Sequence, residues 1–312
     1  MNIIELSANT LRQYIDSRTL FEELERVSAE AKSIRGNMRW RVRGGKEYLV
    51  RVASSGGETG LGVRSPETEA IHENFMHRKS TLSERLASLR QEMQQCVRRN
   101  MVEGVGHAPE MLVKVLARLA KAEIAEHFVV IGTHALYAYE QAAGLRIQDT
   151  GALATKDVDL LWDTRKRLQL ATQMKLLSSS MIGLLQDVDA SFRLKEGDRY
   201  KAINATGFEV DILRREARHG DPHPLQITDC EEDFWVVQAQ RANDLLSGGR
   251  FSAVVASARG EMVRMTTVAP ALFVEFKRWM AAQDSREPEK RARDLAQANI
   301  VAALSRDYFT TS

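Results

Sequence analysis

The sequence has little cysteine, no long apolar run and almost no net charge, and each of these absences excludes a class of protein. Two cysteines, Cys96 and Cys230, stand far apart among 312 residues, which excludes a disulfide framework and a zinc knuckle. No apolar run approaches the roughly 20 residues of a membrane-spanning helix, and the first residues lack the basic and apolar stretches of a signal peptide. We therefore expect a soluble, cytoplasmic protein with no membrane partner.

The charge balance does not point to an anionic partner for the whole chain, because 44 basic residues stand against 42 acidic ones and the net charge is +2. At roughly 150 residues per domain, the length indicates two domains, or one large domain with an appendage. The function must therefore be sought in local patterns and not in the overall composition.

Residues 1–104 are predicted to form an N-terminal helical extension with a basic β-hairpin. Helical spacing of apolar residues predicts a helix over 3–34. Alternation around a Gly-Gly pair predicts a hairpin over 38–63, which a Ser/Gly-rich stretch closes. A polar helix is expected from Pro66 to about Asn100, followed by a glycine-containing linker.

Residues 105–268 are predicted to form a core in which helices alternate with strands, which indicates a mixed sheet covered by helices. The expected elements include strands at 127–131, 158–162 and 207–213, helices over 134–143, 164–185 and 233–246, and a loop over 145–154. The remaining residues, 269–312, predict a C-terminal helical segment that begins at Pro270.

Three motifs in this core carry residues suited to phosphate and metal chemistry. Residues 130–134, Val-Ile-Gly-Thr-His, pass from an apolar strand through glycine into a helix, whose N-terminus offers free N–H groups to a phosphate. Asp157 and Asp159 lie two residues apart on an apolar strand and project from one face. Asp211 lies on another apolar strand; if the two strands are neighbours, it completes a three-carboxylate site for a pair of magnesium ions.

Each motif alone has a simpler interpretation. A Gly-Thr pair at a strand–helix junction is commonly just a turn, and an Asp-x-Asp pair is commonly a solvated strand end. Their combination on strands of strong core character favours a functional site, because buried unpaired carboxylates are unfavourable and a metal ion compensates their charge.

In this order the motifs resemble those of the nucleotidyltransferase superfamily typified by DNA polymerase beta. The segments GTHALYAYE, ATKDVDLLWD and GFEVDIL are most similar to a bacterial family of nucleotidyltransferase-fold proteins whose substrates are mostly unassigned. The basic hairpin and the C-terminal helices resemble the flanks of that family, and the helices also resemble those of toxin and abortive-infection nucleotidyltransferases. The resemblance implies an α+β nucleotidyltransferase fold: a mixed β-sheet flanked by helices, an N-terminal helix–hairpin–helix extension and C-terminal helices.

The resemblance also implies a magnesium-dependent enzyme that transfers a phosphorus-containing group, a nucleoside monophosphate, from a nucleoside triphosphate to an acceptor. Asp157, Asp159 and Asp211 would be its catalytic residues and would ligate two magnesium ions. The residues expected to hold the nucleotide are Gly132, Thr133, His134, Lys277, Lys290 and Asp294. A further cation on the following strands (Arg193, Lys195, Arg199 or Lys201) would offset developing charge. The acceptor stays open among RNA or tRNA, a protein and a small molecule, and so does a role as a toxin.

Local alternatives stay open for several of these residues. His134 fits packing in the first helical turn equally well, Lys277 fits a solvated lysine, and Lys290 belongs to a charge run typical of a solvated helix face. The chain also departs from the superfamily pattern, because Thr133 stands where serine or glycine is usual. A further departure is the interval from Gly132 to the Asp-x-Asp pair, which is longer than in the polymerase-type members.

Six basic residues lie within the 17 positions 35–51, in the predicted hairpin and just before it, with Trp40 interleaved. Arg39, Arg41, Arg43 and Lys46 are the candidates for contact with nucleic acid, although a solvated hairpin that docks on an acidic surface gives the same pattern. From this follows a second hypothesis: a catalytically silent nucleotidyltransferase-fold scaffold that acts as a nucleic-acid- or partner-binding module.

Overall fold

The computed structural model describes residues 3–54, 56–218, 220–228, 230 and 233–309. These residues form two compact units. The small unit spans Arg12–Arg99, and the large unit takes in the described parts of Met1–Leu11 and Asn100–Ser312. None of the helices in the described ranges combines the length and the apolar character needed to cross a membrane.

The helices and strands are numbered along the chain. The helices are α1 (Ala8–Ser33), α2 (Pro66–Val102), α3 (Glu110–Lys121), α4 (Ala135–Ala143), α5 (Thr150–Leu153), α6 (Arg167–Leu177), α7 (Met181–Gln186), α8 (Ala242–Ser247), α9 (Pro270–Ala281) and α10 (Pro288–Tyr308). The strands are β1 (Ile3–Glu5), β2 (Asn37–Arg43), β3 (Lys46–Val52), β4 (Glu58–Val63), β5 (Phe128–Ile131), β6 (Leu145–Ile147), β7 (Asp157–Trp162), β8 (Arg193–Lys195), β9 (Asp198–Ile203), β10 (Glu209–Arg215), β11 (Val237–Ala239), β12 (Arg250–Ala256) and β13 (Met262–Val268).

The small unit contains a three-stranded antiparallel sheet, in which β3 pairs with β2 on one side and with β4 on the other. The expected two-stranded hairpin is therefore corrected, because part of the Ser/Gly-rich stretch forms β4. All six residues of this strand are exposed, so no apolar alternation marks it in the sequence. Val27, Leu82 and Leu89 form the buried core of this unit.

A mixed sheet forms the centre of the large unit. Its strand order is β12-β13-β5-β7-β10-β9-β8, and β11 pairs with the last part of β10. The two central strands, β7 and β10, run parallel to each other, whereas β5 pairs antiparallel with β7. The predicted α+β fold with a mixed β-sheet flanked by helices is confirmed.

The central strands are apolar on both faces because helices cover both faces. On one face, Val130 and Leu160 belong to a core that includes α3, α6 and α7. On the other face, Val129, Ile131 and Leu161 belong to a core that includes α4, α8, α9 and α10. The second face carries the candidate active site.

A two-stranded pairing corrects two local predictions at once. The helix predicted over 3–34 begins only at Ala8, because residues 3–5 form β1 and pair with β6, with Ile3 opposite Ile147. The segment 145–154, predicted as a loop, contains β6 and the short helix α5. The pairing joins residues at least 140 positions apart, so no local pattern predicts it.

Two predicted helices are also interrupted. The helix over 164–185 breaks into α6 and α7, because Ser180 restarts the chain as an N-cap and accepts a hydrogen bond from the Gly183 N–H at 3.1 Å. The helix over 233–246 is replaced by β11 and the short α8. There, Phe234 and Val236 are both buried, as alternate residues of an extended chain are.

Candidate active site

Strand register brings the three predicted carboxylates to one face of the sheet. Asp159 on β7 lies opposite Asp211 on β10 and opposite Ile131 on β5. Register partners share a face, and Asp157 is two residues before Asp159, so all three carboxylates lie on the face covered by α4, α9 and α10. The two strands that carry the aspartates are neighbours, as the predicted three-carboxylate site requires.

The turn after β5 is pressed against Asp159. Gly132 has a backbone φ of +70°, in the left-handed region that favours glycine. A Cβ atom at this position would overlap Asp159 Oδ2. The glycine is therefore required for its backbone conformation and for the close approach of the carboxylate.

Thr133 is buried in this turn and is held from the C-terminal helix. Its Oγ1 accepts a hydrogen bond of 2.9 Å from Gln297 Nε2, which also donates to the Ala152 carbonyl at 2.7 Å. Gln297 of α10 thus connects the turn to α5. No local pattern predicts a role for Gln297, since its neighbours in the site are more than 140 residues away.

His134 is fully buried next to the turn. Neither ring nitrogen has a hydrogen-bond partner among the described residues. Burial lowers the pKa of His134 to about 4, although the nearby Asp157 opposes this shift. The imidazole is therefore neutral at pH 7 and contributes no positive charge; its predicted contact with the nucleotide stays a prediction.

The three carboxylates lie close enough to destabilise one another's charge. Burial, together with the charges of Asp157 and Asp211, raises the pKa of Asp159 to about 7. Burial also raises the pKa of Asp211, even though Lys201 opposes this shift. Asp211 Oδ1 is buried without a hydrogen-bond partner in the described chain, and Asp157 accepts a hydrogen bond from the Thr155 hydroxyl.

Lys201 on β9 is the cation that contacts the carboxylates directly. Its Nζ donates to Asp211 Oδ2 at 2.6 Å and lies 3.3 Å from Glu209 Oε2. Although burial disfavours the ammonium, the hydrogen bonds and charges of these two partners raise the pKa of Lys201. The sequence indicated Lys201 only as one of four candidate cations, and the pairing of β9 with β10 distinguishes it.

Lys277 and Asp294 form a buried ion pair between α9 and α10. Lys277 Nζ donates to Asp294 Oδ1 at 2.8 Å, and Arg286 donates to the other oxygen of Asp294. Lys277 is only 4% exposed, so the solvated-lysine alternative is wrong. Burial lowers the pKa of Lys277, against the opposing charges of Asp294 and Asp159. Lys277 is thus within the electrostatic range of Asp159, and Asp294 holds it there.

Lys290 is not joined to the other predicted site residues by any contact in the described part of the chain. Its side chain is 46% exposed and pairs with Glu287 at 3.2 Å in the first turn of α10. This is the arrangement expected of a solvated helix face. Its role in nucleotide binding stays a prediction.

The described residues contain no group of three or more histidine, cysteine, aspartate or glutamate side chains arranged to hold a metal ion. In the structure, Asp211 is engaged by Lys201 and Asp157 by Thr155. The metal-ligand roles of the three aspartates therefore stay predictions.

Comparison with known proteins identifies the family. A family model described as Nucleotidyltransferase matches residues 110–311, which is more than half of the chain and includes all three aspartates. No curated protein and no solved structure matches the chain. The chain belongs to this nucleotidyltransferase family, whose general activity is nucleotidyl transfer.

Proposed function

We propose that the protein is a magnesium-dependent nucleotidyltransferase that moves a nucleoside monophosphate from a nucleoside triphosphate to an acceptor, with release of pyrophosphate. The observation that carries this proposal is the strand register, in which Asp159 lies between Ile131 and Asp211. This register gathers the carboxylates beside the Gly132 turn, where a triphosphate can approach both.

The chemistry of these side chains supports magnesium as the metal of the proposed site. Magnesium prefers oxygen ligands, and the buried, unpartnered Asp211 Oδ1 is one such ligand. Burial and the neighbouring carboxylates raise the pKa of Asp159 to about 7, so a bound cation would stabilise the charged form of this side chain. Asp157 and Asp159 would hold the two ions, with Asp211 as a ligand of the catalytic one. When bound, magnesium would polarise the reacting phosphate and offset its developing charge.

The protein groups around the carboxylates have separate roles in the proposal. Gly132 lets the backbone approach the β- and γ-phosphates, and the N–H groups at the start of α4 donate to them. The Thr133 hydroxyl accepts its hydrogen bond from Gln297, so its own proton is free to point to a phosphate oxygen. Lys201 would stabilise negative charge that develops during transfer.

Asp211 would also assist the attacking group. Burial raises the pKa of this carboxylate, which makes it a better proton acceptor than a solvated aspartate. An acceptor hydroxyl held next to it would lose its proton to Asp211 as the new phosphoester bond forms. The buried Lys277 lies close enough to affect the carboxylates electrostatically without itself contacting them.

Replacement of the paired aspartates tests the proposal directly. The double variant Asp157→Ala/Asp159→Ala should lose all transfer of label from an α-labelled nucleoside triphosphate, because both proposed metal ligands are removed. Its melting temperature should be no lower than that of the wild type, since two mutually repelling carboxylates are removed. Transfer is measured with the labelled triphosphate and cell lysate as the source of acceptor.

The matched control is Asp187→Ala, which removes a carboxylate from the second Asp-x-Asp sequence of the chain. Asp187 is exposed and pairs with Arg118 at 2.7 Å, so this variant should transfer label at the wild-type rate. Transfer at the wild-type rate by the double variant would overturn the proposal. Salt-sensitive binding of nucleic acid, with no response of the wild type to triphosphate and magnesium, would favour the silent scaffold.

The same experiment identifies the acceptor. Each of the four α-labelled triphosphates is incubated with lysate and protein, and the label is then sought in RNA, in protein and in small molecules. Growth arrest on expression that Asp157→Ala relieves would indicate a toxin. The nucleotide that gives most label defines the base preference.

A further inference from the structure

The central strands β7 and β10 carry the carboxylates towards one of their ends. A cavity of about 540 Å³ lies at the other end of these strands. Asp157 begins β7 and Glu209 begins β10, and these strands run parallel. The cavity is lined by residues that follow or end the same strands, including Thr164 and Arg215. Its volume falls in the range of small-molecule sites, about 300–1,000 Å³.

The cavity is strongly cationic. Among the described residues that line it, five side chains are basic and one, Asp221, is acidic; the basic ones are Arg165, Lys166, Arg167, Arg214 and Arg215. Three of these have a carboxylate partner: Arg165 with Asp163 at 2.7 Å, Lys166 with Glu126 at 3.1 Å, and Arg215 with Asp221 at 2.7 Å. Two positive charges, those of Arg167 and Arg214, are left without a carboxylate partner in the described chain.

Arg214 is the more informative of the two because it is only 2% exposed. Its Nη2 donates to the Pro222 carbonyl at 3.2 Å and lies 3.0 Å from His223 Nδ1. Its Nε is buried and has no hydrogen-bond partner among the described residues. Burial lowers the pKa of Arg214, although the charge of Asp221 opposes this shift. Asp221 is itself paired with Arg215 at 2.7 Å, so the buried guanidinium has no salt bridge of its own, which is unfavourable unless an anion completes the site.

Arg167 supplies a second free charge at the rim of the same cavity. It is exposed at the start of α6, and no hydrogen bond or ion pair joins it to another described residue. A guanidinium presents several donors in one plane, which matches the oxygen atoms of a phosphate group. The cavity therefore combines one buried and one exposed guanidinium, neither of which forms a salt bridge with a described carboxylate.

We propose that this cavity binds a small anion with a phosphate or diphosphate group, at a site separate from the three aspartates. The alternation along β10 places Arg214 on the same face as Ile212, whereas Asp211 is on the other face. The phosphate group would pair with Arg214 inside the cavity and with Arg167 at its rim. Free phosphate, pyrophosphate and the phosphate of a nucleotide share this chemistry.

Equilibrium binding distinguishes these sources. The full-length protein is titrated calorimetrically with inorganic phosphate, pyrophosphate and a nucleoside monophosphate, in EDTA and with chloride holding the ionic strength constant. EDTA prevents metal-dependent binding at the aspartates. We expect saturable binding of at least one of the three, and the tightest binder identifies the form of phosphate that the cavity takes.

Two variants locate the binding. Arg214→Gln should weaken it by at least about tenfold, because a charge-assisted hydrogen bond is lost, and Arg167→Gln should weaken it by about threefold to tenfold. Arg167 is exposed, so its variant keeps the test decisive if Arg214→Gln does not fold. The control Arg306→Gln removes a 74%-exposed arginine of α10 and should bind as the wild type does. No saturable binding by the wild type, or unchanged affinity in Arg167→Gln, would overturn the proposal.

Discussion

Gly132 lies against Asp159 in the candidate site, and the residue type at this one position determines whether both can be accommodated. The glycine adopts a φ of +70°, and the Cβ atom of any other residue at this position would overlap the carboxylate of Asp159. The local strand–turn–helix pattern therefore depends on the residue type at this single position.

Gly132→Ala should destabilise the large unit and impair nucleotide binding. Alanine at a positive φ costs roughly 1–2 kcal/mol, and overlap with Asp159 adds about 1–3 kcal/mol as in other overpacked sites. The measurements are the free energy of unfolding in urea and the thermal shift produced by triphosphate with magnesium. The control Gly104→Ala has a similar φ of +60° but open space around the added Cβ. Equal losses in both variants would contradict the collision with Asp159.

The raised pKa of Asp159 has a definite consequence for stability in the absence of metal. The carboxyl has a pKa of about 7 in the folded protein, against about 3.9 in an unfolded chain. Between these values the folded protein holds a proton that the unfolded chain has released. Stability contributed by this group is therefore present at pH 4 and is lost as the pH rises through 7.

The substitution Asp159→Asn should remove this loss of folding stability at high pH. We expect the variant to melt at a higher temperature than the wild type at pH 8, by about 2–4 °C for each kcal/mol relieved, and at nearly the same temperature at pH 4. Melting curves in EDTA at both pH values provide the measurement. The control is Asp163→Asn, which should change the melting temperature in the opposite direction, because the hydrogen bond from Arg165 lowers the pKa of Asp163. This variant should be less stable than the wild type at pH 8. A pH-independent effect of Asp159→Asn would contradict the prediction.

At the scale of elements, α9 and α10 are joined by a buried ionic network next to the site. Asp294 is completely buried and accepts from both Lys277 and Arg286. Three residues further along α10, Gln297 holds the Thr133 turn. The position of the turn thus depends on how α10 packs, although α10 lies far from it in the sequence.

Asp294→Ala should destabilise the large unit by about 3–5 kcal/mol, because it leaves the buried Lys277 without its carboxylate partner. Lys277→Met should cost less, since Arg286 still pairs with Asp294. Unfolding in urea measures both changes. Asp307→Ala, near the exposed end of the same helix where the aspartate pairs with Arg306, is the control and should change stability by less than about 1 kcal/mol. A similar effect of Asp294→Ala and the control would show that the network is not important for stability.

At the scale of the whole molecule, the basic charge on β2 belongs to the small unit, and the candidate active site belongs to the large unit. Two of the arginines that the sequence predicted for contact with nucleic acid are paired with an acidic side chain. Glu58 on β4 lies 2.5 Å from Arg39 and 2.6 Å from Arg41. Arg43 and Lys46 have no ion-pair partner among the described residues, so the surface keeps a net positive charge.

If this surface binds nucleic acid, replacing Arg39, Arg41 and Arg43 with glutamine should weaken binding and flatten its dependence on salt. Three phosphate contacts give a log–log slope of roughly −2 to −3, and the triple variant should lose most of it. The thermal shift by triphosphate and magnesium should stay unchanged, because that site belongs to the other unit. Binding is measured by titration of labelled RNA at several salt concentrations.

The control for this surface is Arg26→Gln, which removes an exposed arginine that pairs with Glu23 on α1. It should leave both the affinity and the slope unchanged. If the triple variant binds RNA as the wild type does, the basic strand is structural. A protein or a small molecule would then be the favoured acceptor.

The sequence by itself determined the features that depend on neighbours in the chain. Alternation along a strand is local, so Asp157 and Asp159 had to share a face wherever that strand lay. A glycine between an apolar strand and a helix likewise predicted the turn at Gly132. The order of these motifs was enough to indicate the α+β fold and the nucleotidyltransferase family, both of which are confirmed.

Only the tertiary structure decided which residues meet across the chain. Strand register set Asp211 opposite Asp159 and Lys201 opposite Asp211, although a shift by two residues would have kept every apolar pattern intact. The pairing of β1 with β6 and the hydrogen bonds of Gln297 were equally invisible in the sequence. The physical reason is the same in each case: the free energy of these contacts comes from partners distant in the chain, and local propensity carries no information about them.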